Sequence, residues 1–291
     1  MQLTQNHLPA ILWVLLSTLI WTLIFAAVKF ADGGVDVFQL TLLRYCGALI
    51  TLVLLLPSQG GIRAHQSKQP LLHLARAVSG SSAAVAITWA SANMPLVDAT
   101  AIGMLYGVLA IFLGTAVLKE TVSKRHWVAV AVSLMGVGMI MFNKGAFQSG
   151  FAILPAIFAL TSATFFAVEG LLISVLGRSE PAFTVMLYVT FFGFCLMLIP
   201  AILHWQNITL KTGVMCLLLG PLGIVGQYCT IRGYRSAPLS VVAPVDYSWL
   251  LFSAILGIIF FQEIPDIGTW IGCFAIVLGG VLLAWSSRQT D

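Results

Sequence analysis

Six ionisable residues lie within apolar stretches of the chain and could bind a charged ligand or one another. They are Arg44, Arg76, Asp98, Glu169, Arg232 and Asp246. A charged side chain at the centre of a membrane helix costs about 2.5–3.5 kcal/mol on insertion scales, so such residues usually face a partner or a water-filled cavity. Because the six comprise three cations and three anions, they favour either mutual pairing or a site for a zwitterionic ligand.

Four of the six are interpreted as charge-pairing or gating residues: Arg44, Arg76, Asp98 and Arg232. Arg44 and Asp98 fall in the same half of the membrane and form one candidate pair. The alternative is that the ion pairs are fixed and only neutralise each other, or that the arginine side chains reach the lipid headgroups.

The two remaining acids, Glu169 and Asp246, lie on one-sided polar and aromatic helix faces. Glu169 shares its face with Phe165, and Asp246 shares its face with Trp249, a pattern that a helix surrounded by lipid does not need. Burial disfavours the charged form of a carboxylate. We therefore expect one of these acids to couple function to protons.

Deep aromatic residues complete the candidate binding site. Tyr106, Trp249, Trp89 and Tyr228 lie inside apolar stretches, where they suit a ligand with an apolar body and a cationic group through stacking and cation–π contacts. Core packing is the alternative for each of them. The predicted substrate-binding set is Trp89, Tyr106, Glu169, Tyr228, Asp246 and Trp249.

Ten apolar runs must position these side chains. Hydrophobic types make up 59% of the 291 residues and charged types only 8%, against about 25% charged residues in soluble proteins. This composition predicts an all-α integral membrane protein of ten transmembrane helices, each of about 20 residues. The runs are 9–28, 36–56, 70–92, 95–118, 125–142, 151–176, 182–204, 212–234, 239–261 and 267–286.

What remains outside these runs excludes several functions. The connections are too short for a folded soluble domain, and no G-x-x-x-x-G-K-[ST] loop occurs that would bind a driving nucleotide. The five cysteines have no C-x-x-C spacing and the five histidines form no cluster, so we predict no metal site, no cofactor and no catalytic residue. We attribute the net charge of +4 to the positive residues of the loops and predict no nucleic-acid partner. The sequence leaves open whether the protein forms a homodimer.

The distribution of lysine and arginine predicts the orientation in the membrane. With the N-terminus in the cytoplasm, inner connections and helix ends carry ten of the 14 Lys and Arg residues, outer ones carry three, and Arg44 lies in mid-helix. Because positive residues concentrate on the cytoplasmic side, we predict that both termini are cytoplasmic.

The two halves of the chain match without gaps at an offset of 143 residues. Rare residues coincide at seven landmarks: Tyr45 with Tyr188, Pro57 with Pro200, Pro95 with Pro238, Gly114 with Gly257, Glu120 with Glu263, Trp127 with Trp270 and Gly136 with Gly279. The match predicts two repeats, residues 1–145 and 146–291, of five helices each, the second inverted in the membrane. Such repeats are typical of secondary transporters, which bind substrate near the midplane; a duplicated structural protein or channel is the alternative.

The residues that follow the third helix resemble the end of an EamA domain of the drug/metabolite transporter superfamily. The resemblance rests on Met94 to Ile102 with Gly114, Glu120 and Trp127, and again on Ala237 to Pro244 with Gly257, Glu263 and Trp270. It implies a ten-helix carrier of the bacterial inner membrane with both ends inside. The position of Arg76, early in the third helix and before this segment, resembles the pattern of the branch that contains S-adenosylmethionine carriers and amino-acid-type exporters.

One departure from the family pattern lies in the fourth helix. Many relatives have a mid-helix proline there, as Pro244 provides in the second half, but this chain reads Met104-Leu-Tyr-Gly107. We therefore expect a distinct pocket and substrate.

Together, these features predict a secondary-active transporter of a small zwitterionic or amphipathic metabolite. An exporter of an amino acid or amino-acid-derived compound, working by alternating access, is the first expectation. An S-adenosylmethionine-type uptake carrier or exchanger is the second. An intramembrane enzyme or a structural membrane subunit is the alternative from a different class.

Overall fold

The computed structural model describes residues 8–30, 34–109, 113, 124–143, 153–236 and 245–287. These residues form ten α-helices and two short 3₁₀ turns, Leu56–Gln59 and Ile62–His65, and no strand. The helices, numbered in chain order, are α1 Leu8–Phe30, α2 Val37–Leu55, α3 Pro70–Asn93, α4 Leu96–Gly103, α5 Lys124–Asn143, α6 Ile153–Ser179, α7 Ala182–Leu203, α8 Leu210–Ser236, α9 Ser248–Phe261 and α10 Ile267–Ser287. The all-helical class is therefore confirmed.

Six stretches of the described chain are long and apolar enough to cross a bilayer: Leu8–Phe30, Val37–Gln59, Pro70–Asn93, Ile153–Ile173, Ala182–Leu203 and Leu210–Gly233. Large apolar side chains lie exposed on the outside of the bundle, such as Leu54 at 75% and Leu203 at 75%, as expected for surfaces in contact with lipid. Ten crossings remain a prediction, because other apolar helices, such as Ser248–Phe261, are shorter.

Local sequence signals explain several helix ends. The Asp36 side chain accepts a hydrogen bond from the backbone N of Phe38 at 2.9 Å and caps α2, which satisfies one of the amide groups left free at a helix start. Pro70 stands in the first turn of α3, where its missing N–H costs nothing. Gly60 has a φ of 89° after the first 3₁₀ turn, a backbone conformation that glycine adopts without strain.

The fourth and ninth helices are shorter than the apolar runs that predict them. Regular helix ends at Gly103, and a turn over Met104 and Leu105 precedes a further helical stretch that begins at Tyr106. In the second half, a turn at Tyr247 precedes α9, at the position that matches Met104 in the 143-residue register. Both interruptions therefore fall at the same point of the two halves. The predicted landmarks Gly114, Glu120, Pro238 and Pro244 lie outside the described residues.

Helix packing joins the two halves at every level of the bundle. The most extensive pairs are α5 with α10 and α3 with α6, followed by α1 with α8, α2 with α8, α2 with α7 and α3 with α7. Each helix of one half has a counterpart five places along in the other half, so that α1 corresponds to α6 and α3 to α8. Replacing every helix by its counterpart converts the pair α1–α8 into α6–α3 and the pair α2–α8 into α7–α3. It leaves α2–α7 and α5–α10 unchanged. The contacts thus follow a twofold pattern.

Two helix pairs cross with their backbones in direct contact. In the α2–α8 crossing, a Cβ built on Gly220 would contact Gly47 and Ala48, and it would lie 2.5 Å from the Arg44 backbone oxygen. In the α5–α10 crossing, a Cβ built on Gly136 would lie 2.6 Å from the backbone oxygen of Gly272. Small residues at such crossings let membrane helices approach closely. The first crossing fixes the backbone beside Arg44.

Candidate functional site

A cavity of about 240 Å³ lies between the two halves of the bundle. Its walls come from α1, α2 and α3 of the first half and from α6, α7, α8 and α9 of the second, with Tyr106 from the stretch after the α4 interruption. The charged residues of the described chain that line it are Arg44, Arg76, Glu169 and Asp246. Two cations and two anions therefore share one chamber, with no net charge among them.

Arg76 and Glu169 form a buried pair that bridges α3 and α6. The Arg76 Nη2 atom lies 3.5 Å from Glu169 Oε1, and the two side chains are 0% and 15% exposed. Arg76 Nη1 also donates to the backbone oxygen of Val185 on α7, at 3.5 Å. Gly80, one turn beyond Arg76, makes this approach possible, because a Cβ there would lie 2.8 Å from Glu169 Oε1.

The Arg44 guanidinium packs against aromatic rings. Its central carbon lies 4.8 Å from the centroid of the Tyr45 ring and 5.9 Å from that of the Trp21 ring. Cation–π contacts of this kind favour a positive charge in a low-dielectric setting. Tyr45 is itself fixed by a hydrogen bond between its hydroxyl and that of Ser81, at 2.8 Å. Arg44 is thus a buried, oriented cation on the cavity wall.

The two helix interruptions meet at the cavity and place an acid there. The Tyr106 hydroxyl donates to Asp246 Oδ2 at 2.9 Å, joining the segment after the α4 interruption to the segment before α9. The Tyr247 hydroxyl packs on Gly107, where a Cβ would lie 3.4 Å from it. Broken helices of this kind are a common setting for ligand sites in transporters.

Aromatic side chains connect these charged groups along one wall. Trp21 stacks on Phe25 with ring centroids 5.7 Å apart, and Phe25 lies 6.0 Å from Phe166 and 5.6 Å from Trp249. Phe166 in turn lies 6.4 Å from Tyr106. The rings therefore form a continuous apolar surface that begins beside Arg44 and ends beside Asp246.

The structure brings together some of the predicted residues and separates others. Tyr106, Glu169, Asp246 and Trp249 of the predicted binding set line the cavity, together with Arg44 and Arg76 of the gating set. The remaining four do not line it: Trp89, Tyr228, Asp98 and Arg232.

Trp89 and Tyr228 contact other residues outside the cavity lining. The Trp89 ring packs against Phe158, with centroids 4.4 Å apart, beside a separate surface pocket. Tyr228 is 40% exposed, and the guanidinium of the exposed Arg232 lies 5.7 Å from its ring centroid. Trp89 is therefore partly buried against the apolar core, whereas Tyr228 lies at the surface of α8.

The expected pair of Arg44 and Asp98 is wrong. Asp98 is fully buried, and its Oδ1 atom accepts a hydrogen bond from the Thr269 hydroxyl at 3.1 Å. No salt bridge joins it to Arg44 in the part of the chain that the structure describes. Asp98 therefore serves the contact between α4 and α10.

Four aromatic residues that line the cavity were absent from the predicted set: Trp21, Phe25, Tyr45 and Phe166. Phe25 and Phe166 look like ordinary lipid-facing or core residues in the sequence, because phenylalanine carries no polar group. A weak signal existed for Phe25: it lies one turn beyond Trp21 and two turns beyond Thr18, so the three share a helix face.

Polar contacts join the two halves at both ends of the bundle. At one end, Lys29 at the end of α1 pairs with Glu263 and donates to the Met94 backbone oxygen at 3.1 Å; Glu263 Oε2 also accepts from the backbone N of Leu96 at 2.8 Å. At the other end, His73 near the start of α3 contacts Glu180 Oε2 at 3.0 Å. These groups tie the halves together above and below the cavity.

Comparison with known proteins places the chain among membrane transporters. The sequence model of the EamA-like transporter family matches residues 8–142 and 153–285. The pseudopaline exporter CntI of Pseudomonas aeruginosa is 26% identical over 284 residues, covering 96% of this chain and 96% of that protein. An S-adenosylmethionine uptake transporter of Rickettsia prowazekii is 20% identical over 286 residues, covering 98% and 96%.

A solved structure shares the fold. It superposes with a TM-score of 0.68 at 19% sequence identity and covers 97% of this chain and 98% of its own. The matching family and the named relatives are transporters and not enzymes.

Proposed function

Because the chain belongs to the EamA-like transporter family, we propose that it is a secondary-active carrier that exports an amino acid or an amino-acid-derived compound by alternating access. The site is the chamber between the two halves. We place the protein in the bacterial inner membrane, with protons as the coupling ion.

One observation carries this proposal. Two arginines and two carboxylates face a single cavity whose remaining wall is an aromatic surface. A zwitterion with an apolar body matches such a chamber, because each of its charges finds an opposite charge and its body replaces water on the rings. A wholly apolar compound would leave the buried charges unsolvated.

Alternating access follows from the arrangement of the helices. We propose two five-helix repeats, residues 1–145 and 146–291, that cross the membrane in opposite directions with both termini in the cytoplasm. The twofold pattern of helix contacts and the concentration of Lys and Arg in alternate loops support it. Rocking of one repeat against the other would open the chamber to each side in turn.

A second candidate is uptake or exchange of S-adenosylmethionine. The Rickettsia relative favours it, and the chamber suits a molecule with an amino-acid group, extra positive charge and an aromatic base. We rank it second because the CntI relative, named as an exporter, has the higher identity, 26% against 20%.

Counterflow in proteoliposomes tests the proposal. Vesicles loaded with an unlabelled compound should concentrate the same labelled compound transiently, and the signal should saturate. A panel of amino acids, pseudopaline and S-adenosylmethionine covers both candidates. Empty vesicles and vesicles with Trp249→Ala are the controls. A channel would give flux without counterflow, and an enzyme would return a chemically changed product; either result would contradict the proposal.

A further inference from the structure

The four charges of the cavity differ in how the protein compensates them. Glu169 lies 3.5 Å from Arg76, and Asp246 accepts a hydrogen bond from Tyr106. Arg44 lines the same cavity and is only 7% exposed. Yet no hydrogen bond or ion pair from its guanidinium is formed with any residue that the structure describes; its contacts are with the Trp21 and Tyr45 rings.

The surroundings of Arg44 hold the guanidinium in place without using its donors. The α2–α8 crossing fixes its backbone against Gly220, and the guanidinium lies beside Gly223, three residues along α8: a Cβ built there would lie 3.9 Å from Nη1, at ordinary contact distance. The contacts with the Trp21 and Tyr45 rings leave the five N–H donors of the guanidinium without a hydrogen bond to any residue that the structure describes. Because Arg44 lines the cavity, these donors are available to a ligand there.

A buried cation in this state is suited to an anion that arrives with the ligand. Desolvation of a charge is costly unless it is paired and hydrogen-bonded. Arginine binds a carboxylate through two parallel N–H···O bonds, and such charge-assisted bonds are stronger and more directional than neutral ones. A ligand carboxylate would therefore supply the hydrogen-bonded partner that none of the described residues provides.

We propose that Arg44 docks the carboxylate of the substrate and thereby restricts the carrier to amino carboxylates. This proposal rests on the proposed function and deepens it. The bound molecule lies with its carboxylate on Arg44, its apolar body on the rings of Phe25 and Phe166, and its cationic group towards Asp246. A neutral or purely cationic analogue leaves Arg44 uncompensated and binds more weakly.

Matched acids and amines test the assignment directly. The probes are S-adenosylmethionine with its decarboxylated form, L-phenylalanine with 2-phenylethylamine, and L-lysine with cadaverine. Binding to the purified, detergent-solubilised protein is followed by quenching of tryptophan fluorescence, since Trp21 and Trp249 line the cavity, and by the shift in melting temperature. For at least one pair, the acid should bind about tenfold or more tightly than the amine, as expected for loss of a charge-assisted contact.

Three variants identify Arg44 as the cause. Arg44→Gln should bind each acid no better than its amine, and Arg44→Lys should keep only part of the preference, because an ammonium lacks the planar fork. Arg63→Gln removes an exposed arginine from the 3₁₀ turn Ile62–His65 and should behave as the unaltered protein. Gel filtration and the melting temperature establish that each variant is folded.

The outcomes separate this proposal from the transport function. A preference for acids that survives in Arg44→Gln would overturn it, as would equal binding of acids and amines, or no binding of any acid, by the unaltered protein. Saturable counterflow of any compound would leave the carrier function standing in all three cases. Absence of counterflow, with Arg44-dependent binding of acids intact, would instead contradict the carrier function alone.

Discussion

The Arg76 guanidinium and the Glu169 carboxylate lie 3.5 Å apart in the interior of the bundle, one contributed by α3 and the other by α6. The pair therefore crosses the boundary between the two halves, within the wall of the cavity. Removing one member of a buried pair leaves an uncompensated charge and costs about 3–5 kcal/mol. The proposed rocking of one half against the other must accommodate this contact.

Gly80→Ala should weaken transport by displacing Glu169. The new methyl group would lie 2.8 Å from Glu169 Oε1 and 2.9 Å from its Cδ, so the carboxylate must move away from Arg76. We expect a lower melting temperature and a severalfold lower counterflow rate. Gly138→Ala is the matched control, because nothing lies within 4 Å of its Cβ position. Equal behaviour of the two variants would contradict this account of Gly80.

Coupling to protons should depend on one of the two cavity acids. Glu169→Gln and Asp246→Asn each replace a carboxylate by an amide of similar shape that cannot take up a proton. We expect one of the variants to retain exchange of substrate across the membrane but to lose acceleration by an imposed pH gradient. If uptake driven by a pH gradient is unchanged in both variants, neither acid is the coupling residue.

Gly220→Ala should destabilise the protein by separating α2 from α8. The added carbon would contact the backbone of Gly47 and Ala48, and backbone atoms cannot move aside as a flexible side chain does. Overpacking of this type costs about 1–3 kcal/mol, measured as a lower unfolding temperature in detergent. Gly213→Ala in the same helix meets only the Ile208 Cδ1 atom, at 3.6 Å, and should be close to neutral.

Lys29 and Glu263 should stabilise the protein as a coupled pair, and exchanging the two residues should not preserve that stabilisation. A double-mutant cycle with Lys29→Gln and Glu263→Gln is expected to show an interaction of about 0.5–3 kcal/mol in unfolding free energy. Exchanging the two residues should fail to restore stability, because Glu263 also accepts from the Leu96 backbone N and a lysine there could not. The exposed Lys211→Gln serves as the control. Full rescue by the exchange would show that charge alone matters.

The proposed inverted topology predicts where tags become accessible. A tag inserted within residues 143–149 should lie on the opposite side of the membrane from tags at either terminus, because five helices separate them. Protease protection in oriented vesicles provides the measurement. Accessibility of all three tags from one side would contradict the two inverted repeats.

The type of fold was predictable from the sequence because composition alone excludes a soluble protein. The break before Pro95 was also predicted correctly: the predicted runs end at 92 and begin again at 95, and the structure has α3 ending at Asn93 and α4 beginning at Leu96, because proline acts through the local backbone. The interruption at Met104 and Leu105 was not predicted, because both residue types are good helix formers and neither marks a break in the sequence.

Contacts between side chains were harder to predict than the presence of charged residues inside apolar stretches. The sequence singled out both Arg76 and Glu169, but not as partners, because their helices are distant in the chain. Trp89 and Tyr228 were expected in the binding site, yet neither lines the cavity. A membrane helix is apolar on all sides, so the contrast between polar and apolar faces that orients a helix in a soluble protein is weak here.

The interruptions after α4 and before α9 occupy equivalent positions in the two halves, but the residues beside them differ in chemical type. Gly103 precedes the first where Asp246 precedes the second, and Tyr106 follows the first where Trp249 follows the second. In the proposed alternating-access cycle, the state open to one face of the bilayer is consequently no mirror image of the state open to the other. Half-saturating concentrations measured from the two faces should differ. At zero applied gradient the ratio of maximal flux to half-saturation must still be equal in both directions, so whichever face binds substrate more tightly must also deliver it more slowly.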